Sequence, residues 1–263
     1  MLAVAIGCGA PGQALRVEPG LQRPIEAAGV RGVIVLFDPQ SGALQTNDVA
    51  EAQARHLPAS TFKIFNSLVA LEEKAVADEH EVIEWDGVER PIAEWNRDHD
   101  MASAIKVSAV WFYQELARRV GAVRMQHWLD AVGYGNRVIA PAIDEFWIRA
   151  GGLRISALEQ VRFVDRLRRG DLPFSPRTMD IVRRITIVDQ AGGAVLHAKT
   201  GWGIETTPDI GWYVGWVEKD GRALVFALRI EMRGEQDLGL RAGIVRQVLA
   251  RRGWMPEPGG DAP

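Results

Sequence analysis

The hydrophobic and polar positions divide the chain into a strand-rich start, a helical middle and a strand-rich end. Residues 21–28 predict a short helix that ends at Gly29, and residues 32–37 form an apolar run typical of a strand buried on both faces. The D-P-Q-S-G run at 38–42 is turn chemistry, and residues 43–46 then return as a partner strand. The chain is therefore predicted to open with a helix and a β-hairpin.

The middle of the chain, from about residue 47 to residue 187, is mainly helical in its pattern. Within it, residues 115–120 and 122–132 predict two helices separated by Gly121. Ser156 is expected to cap a further helix, because Glu159 lies three residues later and completes a capping box ahead of an apolar face.

The character changes after residues 192–193, where residues 194–199, 211–218 and 223–231 predict three strands and residues 238–252 a helix. Strands at both ends favour an α+β fold, a three-layer α/β/α sandwich around one antiparallel sheet. The sheet domain would take residues 20–46 and 188–255, with residues 47–187 inserted as an all-helical domain. Residues 1–19 would be a remnant signal or a disordered tail.

The composition is that of an ordinary soluble enzyme: 263 residues, 47% hydrophobic, 25% charged, net charge −3. This charge does not indicate a nucleic-acid partner. Cys8 is the only cysteine, which excludes an intramolecular disulfide, and the five histidines lack metal-ligand spacing, so we expect no metal site. The sequence contains no run of 18 apolar residues, so we predict no transmembrane helix.

The first dozen residues are small and apolar, and the segment around Cys8 resembles the end of a lipoprotein signal. Two interpretations stay open: a truncated export signal with a lipid anchor at Cys8, or a disordered tail. The same segment contains a formal G-x-G-x-x-G at 7–12, but it follows no strand and has Pro11 where a helix should open. We therefore predict no dinucleotide site there.

A hydroxyl and an amine stand three residues apart at the start of an apolar run, in P-A-S-T-F-K at 58–63. Positions i and i+3 of a helix share a face, so the side chains of Ser60 and Lys63 can meet. Unpaired N–H groups and the positive dipole end favour developing negative charge at Ser60. Ser60 is thus a candidate nucleophile and Lys63 its base, although S-x-x-K alone also occurs by chance.

A second motif, K-T-G at 199–201, ends a predicted strand. The cation of Lys199, the hydroxyl of Thr200 and the bare backbone at Gly201 suit a ligand that carries a carboxylate. The triplet alone is equally expected at a charged strand end that enters a turn. An S-x-x-K motif followed by a K-T-G motif is the outer pair of motifs in penicillin-recognising serine enzymes.

Between these motifs the chain has no S-D-N; it has S-A-V at 108–110, Y-G-N at 134–136 and F-W-I at 146–148, and G-W-Y-V-G-W follows at 211–216. With these motifs in this order, the sequence resembles the class D β-lactamases, or oxacillinases, over residues 32–250. The resemblance implies the penicillin-recognising serine enzyme fold, in agreement with the sandwich expected from the pattern.

The resemblance also implies that β-lactam antibiotics are hydrolysed through an acyl-enzyme on Ser60. Backbone N–H groups of Ser60 and Trp202 would form the oxyanion hole, and Ser108 would relay a proton to the leaving nitrogen. Lys63 would be N-carboxylated by carbon dioxide or bicarbonate and act as general base in both steps, with Trp147 donating to the carbamate. No other cofactor is implied. The implied substrate-binding residues are Lys199, Thr200, Gly201, Arg241, Phe112, Val110 and Ile148.

The neighbours of Lys63 supply a physical reason for this chemistry. Phe62, Val110, Trp147 and Ile148 would surround its amine with apolar atoms, and burial lowers a lysine pKa by several units from about 10.4. A neutral amine can attack carbon dioxide, whereas an ammonium cannot. A carbamate stabilised by a donor is a better general base than an amine.

Several alternatives stay open at single positions. Ser108 is also expected as a helix cap, Trp147 as a core aromatic residue and Arg241 as part of a solvated helix face. Phe65 stands where the family commonly has proline and Ile148 where it has leucine, but neither change removes a functional group.

Two other protein classes share parts of the pattern. The extracellular sensor domain of β-lactam-responsive receptors has the same fold and motifs but keeps its acyl adduct, and membrane helices precede it. A penicillin-binding transpeptidase shares S-x-x-K and K-T-G, but S-x-V, Y-G-N and F-W-x argue against it. We expect a periplasmic or secreted enzyme whose partner is a small-molecule β-lactam, and a homodimer is left open.

Overall fold

A seven-stranded sheet runs through the part of the chain that the computed structural model describes, residues 14–256. Its order is β1-β3-β2-β9-β8-β7-β6; β1 pairs with β3 in parallel, and all other neighbours are antiparallel. A separate short ladder joins β4 to β5. The strands are β1 Leu15–Val17, β2 Gly32–Asp38, β3 Ala43–Thr46, β4 Arg55–His56, β5 Ile155–Ser156, β6 Ile187–Ala191, β7 Ala194–Gly203, β8 Asp209–Lys219 and β9 Arg222–Met232.

Helices cover both faces of this sheet, as the apolar runs of β2, β8 and β9 require. The first and last helices pack on one face, around Ile25 and Ile244, and the others build a larger core on the opposite face. The helices are α1 Gln22–Ala27, α2 Val49–Gln53, α3 Phe62–Glu72, α4 Met101–Val107, α5 Val110–Val120, α6 Ala122–Val132, α7 Ala157–Arg169, α8 Pro176–Ile185 and α9 Leu240–Arg251. This confirms the predicted three-layer α+β sandwich.

Helix α7 lies against the sheet and links it to the helical segment. Its start is fixed by the predicted capping box, in which Ser156 Oγ accepts from the Glu159 N–H and the Glu159 carboxylate accepts from the Ser156 N–H. It packs against β2, β8 and β9. A helix from the segment 47–187 thus belongs to the wall of the sheet, and the division of the chain into two domains stays a prediction.

The N-terminal part of the sheet differs from the prediction. Leu15–Val17 pairs with β3, and the Glu18 N–H donates to Thr46 O at 2.8 Å, so this part of the expected tail at 1–19 is a sheet strand. Leu15 packs against the core, which gives a three-residue strand enough burial to form. Residues 1–13, with Cys8 and the glycine pattern at 7–12, and residues 257–263 lie outside the described part.

Three further bounds differ from the pattern. Strand β6 was not predicted, because its side chains alternate between partly buried and exposed and give no apolar run. Strand β7 continues through K-T-G to Gly203. Helix α5 begins at Val110, earlier than predicted. Its first turn contains aromatic residues, which have a low helix propensity, but their burial in the core stabilises the helix. Within residues 14–256, no helix is long and apolar enough to cross a membrane.

Two glycines provide a matched test of how tightly the sheet is packed. A Cβ at Gly215 of β8 would lie 1.9 Å from the carbonyl oxygen of His197 on β7, so Gly215→Ala must force apart the strand that carries K-T-G. We expect it to lower the free energy of unfolding by about 3 kcal/mol. Gly243 of α9 has no atom within 4 Å of such a Cβ, so Gly243→Ala should raise it by about 0.5–1 kcal/mol.

Urea unfolding followed by circular dichroism measures both changes. Equal stability of the two variants would contradict the close approach of β7 and β8.

Candidate active site

The predicted nucleophile and base meet at the start of α3. Ser60 lies in the 3-10 turn Ala59–Thr61, directly before the helix, and Lys63 Nζ donates a hydrogen bond to Ser60 Oγ at 2.8 Å. The lysine side chain is 0% exposed, while Ser60 is half-buried. The serine is therefore accessible to a ligand from one side and to the amine from the other.

The turn that carries Ser60 is strained and held from several sides. Ala59 has φ 48°, the left-handed region that residues with a Cβ rarely adopt. Pro58 O accepts from the Thr61 N–H at 3.2 Å and from Thr61 Oγ1 at 2.7 Å, and Leu57 O accepts from Trp212 Nε1 at 2.8 Å. These bonds stabilise the backbone on both sides of the strained residue.

The environment of Lys63 disfavours its charged form. Burial, and then the positive charge of Lys199, lower the pKa of Lys63 well below its usual value of 10.5. Within residues 14–256, no carboxylate forms an ion pair with the amine, and the centroid of the Tyr113 ring lies 5.4 Å from its Nζ. The environment of Lys63 therefore favours the neutral amine over the ammonium.

The indole of Trp147 is fully buried in the aromatic wall beside α3. Its ring stacks on Phe62 with centroids 5.1 Å apart and meets Phe146 edge-on at the same distance. The Trp147 Nε1 atom has no hydrogen-bond partner among the described residues. A buried N–H without an acceptor costs free energy, and it is available to an acceptor that is bound or formed here.

The predicted pocket-wall residues divide into two groups. Val110 and Ile148 are partly exposed, and Ile148 packs against the core beside the aromatic wall. Phe112, in contrast, is 0% exposed and packs edge-on between Trp111 and Tyr113. Helix α5 directs the Phe112 side chain into the core, and the substrate contact expected for Phe112 stays a prediction.

Ser108 sits at the junction of α4 and α5 in a left-handed conformation, with φ 60° and ψ 36°. The residue terminates α4, and its N–H donates to Ala104 O. It is partly exposed. Strained non-glycine residues of this kind cluster at functional sites, so the conformation favours a role for Ser108 beyond that of a helix end.

The K-T-G segment lies on an open edge of the sheet. Strand β6 pairs with β7 up to His197, and the Ala198 N–H donates to Thr186 O at 2.9 Å; residues 199–203 have no strand on that side within the described chain. Because successive backbone N–H groups of a strand alternate in direction, the N–H of Trp202 points to the same open side as that of Ala198. It is free for a ligand atom at this edge.

One face of this strand end presses on the Ser60 turn. A Cβ at Gly201 would lie 3.0 Å from Pro58 O and 3.1 Å from Thr61 Cγ2, so any other residue would have to push the Ser60 turn away from the strand. Side chains two residues apart share a face, which directs Lys199 toward the same turn. Sequence and strand geometry thereby bring the two distant motifs together.

Two unneutralised cations lie at K-T-G. Lys199 Nζ donates to Thr200 O at 3.1 Å and to Thr200 Oγ1 at 3.3 Å; Arg241 Nη1 donates to Gly201 O at 2.7 Å. Burial and then the charge of Arg241 lower the pKa of Lys199 to about 7, and burial lowers the pKa of Arg241 to about 10. With no ion-pair partner in residues 14–256, they favour an anionic ligand.

Arg241 therefore does not lie on a solvated helix face, the alternative that its sequence left open: it is only 8% exposed.

The sequence did not single out the contacts that hold the site together, such as the hydrogen bond from Trp212 to Leu57 O. The only signal for that tryptophan was its place in G-W-Y-V-G-W. The β7–β8 loop at 204–208 carries Glu205, which forms an ion pair with Arg149, directly after F-W-I.

Comparisons with known proteins agree with this geometry. The family described as "Penicillin binding protein transpeptidase domain" matches residues 32–250. Beta-lactamase OXA-48 of Klebsiella pneumoniae is 43% identical over 226 residues, 86% of this chain and 85% of its own length. Beta-lactamase OXA-10 of Pseudomonas aeruginosa is 40% identical over 234 residues, 88% of each chain.

Among solved structures, the class D β-lactamase YbXI from Nostoc superposes with a TM-score of 0.87 at 40% identity, covering 89% of this chain and 99% of its own. The class D β-lactamase FUS-1 (OXA-85) from Fusobacterium nucleatum subsp. polymorphum superposes with a TM-score of 0.86 at 35% identity, covering 89% and 98%. Sequence, fold and site geometry thus lead to one conclusion: the chain belongs to the class D β-lactamase family.

Proposed function

We propose that this protein hydrolyses β-lactam antibiotics through an acyl-enzyme formed on Ser60. The observation that carries the proposal is the 2.8 Å hydrogen bond between Ser60 Oγ and the amine of a fully buried lysine, Lys63. A hydroxyl is a weak nucleophile unless a base accepts its proton, and a neutral amine or a group formed on it can do so. Relatives named as β-lactamases support the substrate class.

In the proposed acylation step, each site residue has one role. Ser60 Oγ attacks the carbonyl carbon of the lactam, and its proton passes to the base at Lys63 while the lactam C–N bond breaks. The N–H groups of Ser60 and Trp202 stabilise the oxyanion. Ser108 returns a proton to the leaving nitrogen. The substrate carboxylate binds to the cationic group at K-T-G, which consists of Lys199, Thr200 and Arg241.

Deacylation needs a base that activates water after the amine has taken part in acylation. The buried neutral amine of Lys63 and the unpartnered N–H of Trp147 fit a lysine that carries carbon dioxide. Carbon dioxide bound there supplies a carboxylate-type general base. Lys63 holds this group covalently and Trp147 donates to it, while the stacked Phe62 and Trp147 rings keep bulk water from it.

The place of action proposed is the periplasm or the surrounding medium, which follows from the family resemblance. The lipid anchor at Cys8 and a homodimer stay predictions.

Hydrolysis can be distinguished from acylation without turnover by one pair of proteins. With a chromogenic cephalosporin, the wild-type protein should complete many turnovers, whereas Lys63→Ala should at most be acylated slowly and keep its adduct, because water lacks a base. Loss of a general base costs about 10²–10⁴-fold in rate. Steady-state absorbance gives the turnover, and intact-protein mass spectrometry gives the adduct.

Lys219→Ala, a lysine in the β8–β9 hairpin, is the matched control and should turn over like the wild type. A single stoichiometric burst from the wild type would identify a sensor or a transpeptidase. Normal turnover by Lys63→Ala would refute the assigned base.

The lowered pKa of Lys199 predicts a loss of substrate capture at alkaline pH. The protonated amine binds the substrate carboxylate, so kcat/KM should fall as pH rises through the pKa of Lys199, which is about 7 with an uncharged Lys63. A negative charge on Lys63 would raise this pKa and move the fall to higher pH. Lys199→Arg stays protonated throughout and should abolish this fall.

The measurement is kcat/KM against pH for both proteins. If kcat/KM of Lys199→Arg falls with rising pH in the same way, a group other than Lys199 causes the fall.

A further inference from the structure

A buried amide from α7 reaches the turn that carries the nucleophile. Gln160 is 1% exposed, and its Nε2 donates to Thr61 Oγ1 at 2.8 Å. Thr61 is the residue after Ser60, and its Oγ1 donates in turn to Pro58 O at 2.7 Å. One chain of hydrogen bonds thus runs from the core helix to both sides of Ser60.

The direction of these bonds matters because a threonine hydroxyl has a single hydrogen. Since Thr61 Oγ1 accepts from the Gln160 amide, its own hydrogen is directed to Pro58 O. That carbonyl lies just before Ala59, whose φ of 48° orients the peptide that contains the Ser60 N–H. Strain of this kind persists only where the surroundings hold it. Gln160 is part of those surroundings.

Packing alone does not explain a glutamine at this position. Its Oε1 lies beside the buried hydroxyl of Tyr134, but no described residue forms a hydrogen bond of normal geometry with it. Burying an unpaired acceptor costs free energy that an apolar side chain of similar volume would avoid. Breaking this rule of core packing is expected where a side chain serves a functional site.

We propose that Gln160 is a positioning residue for the nucleophile: through Thr61 it holds the 58–61 turn, and with it the Ser60 hydroxyl and N–H, in the reactive geometry. The inference rests on the proposed acyl-enzyme chemistry. It concerns the acylation step, because within residues 14–256 the side-chain hydrogen bond of Gln160 goes to Thr61, next to Ser60, and none goes to the cationic group at K-T-G. Gln160 should therefore affect the rate of acylation and leave initial binding of the substrate unchanged.

The test uses substitutions that keep volume and break the chain of hydrogen bonds. Gln160→Met removes the bond to Thr61, and Thr61→Val removes both bonds of the hydroxyl. Each should lower the acylation rate constant about tenfold or more, up to the 10²–10³-fold known for loss of one oxyanion donor. Thr61→Ser keeps the hydroxyl and should retain most of the rate. Stopped-flow kinetics with a chromogenic cephalosporin gives the rate constant and the dissociation constant separately.

Because both residues act through one bond chain, the double variant Gln160→Met with Thr61→Val should be no slower than the slower single variant. Leu167→Ala, a core residue further along α7, is the control for general destabilisation. It should lower the melting temperature and leave the acylation rate constant unchanged.

Wild-type acylation rates in both single variants, or additive effects in the double variant, would overturn the proposal. If Gln160→Met does not fold, Thr61→Val and Thr61→Ser still decide it, since a positioning role requires them to differ. Failure of the proposed function gives another result, the absence of turnover in the wild type itself.

Discussion

The burial of one amine beside one hydroxyl is the constraint on which the site depends. Lys63 is fully buried at the start of α3, its Nζ lies 5.4 Å from the centroid of the Tyr113 ring, and no carboxylate of residues 14–256 pairs with it. Lysine is among the residues least often buried without a partner, because the ammonium loses its hydration. The fold therefore shifts this amine toward its neutral form, the form that the proposed chemistry requires.

The sheet supplies the second half of the site by bringing an open strand edge to the same place. Gly201 allows β7 to approach the Ser60 turn, and the alternation of side chains along the strand directs Lys199 to the same turn. The charge of Lys199 lowers the pKa of Lys63 further, and the charge of Arg241 lowers the pKa of Lys199. An anionic ligand bound at K-T-G would reduce this repulsion between the cations. Binding of a substrate carboxylate and readiness of the base are thus electrostatically connected.

Much of this arrangement was predictable because it depends on short patterns with fixed geometry. The i, i+3 spacing placed Lys63 at Ser60, and the capping box placed the start of α7. What the sequence did not predict depends on tertiary contacts. Strand β1 forms because Leu15 packs against the core, and Phe112 is buried although Val110, two residues earlier, is partly exposed. No local pattern connects Gln160 with Thr61, which lie 99 residues apart.

The central claim is that burial keeps Lys63 neutral and ready to take up carbon dioxide. Carbon-13 NMR of the protein equilibrated with labelled bicarbonate tests it most directly. We expect one protein-bound carbamate signal near neutral pH, lost on acidification as the amine becomes protonated and absent from Lys63→Ala. An active wild-type enzyme without that signal, or a signal that persists in Lys63→Ala, would contradict it.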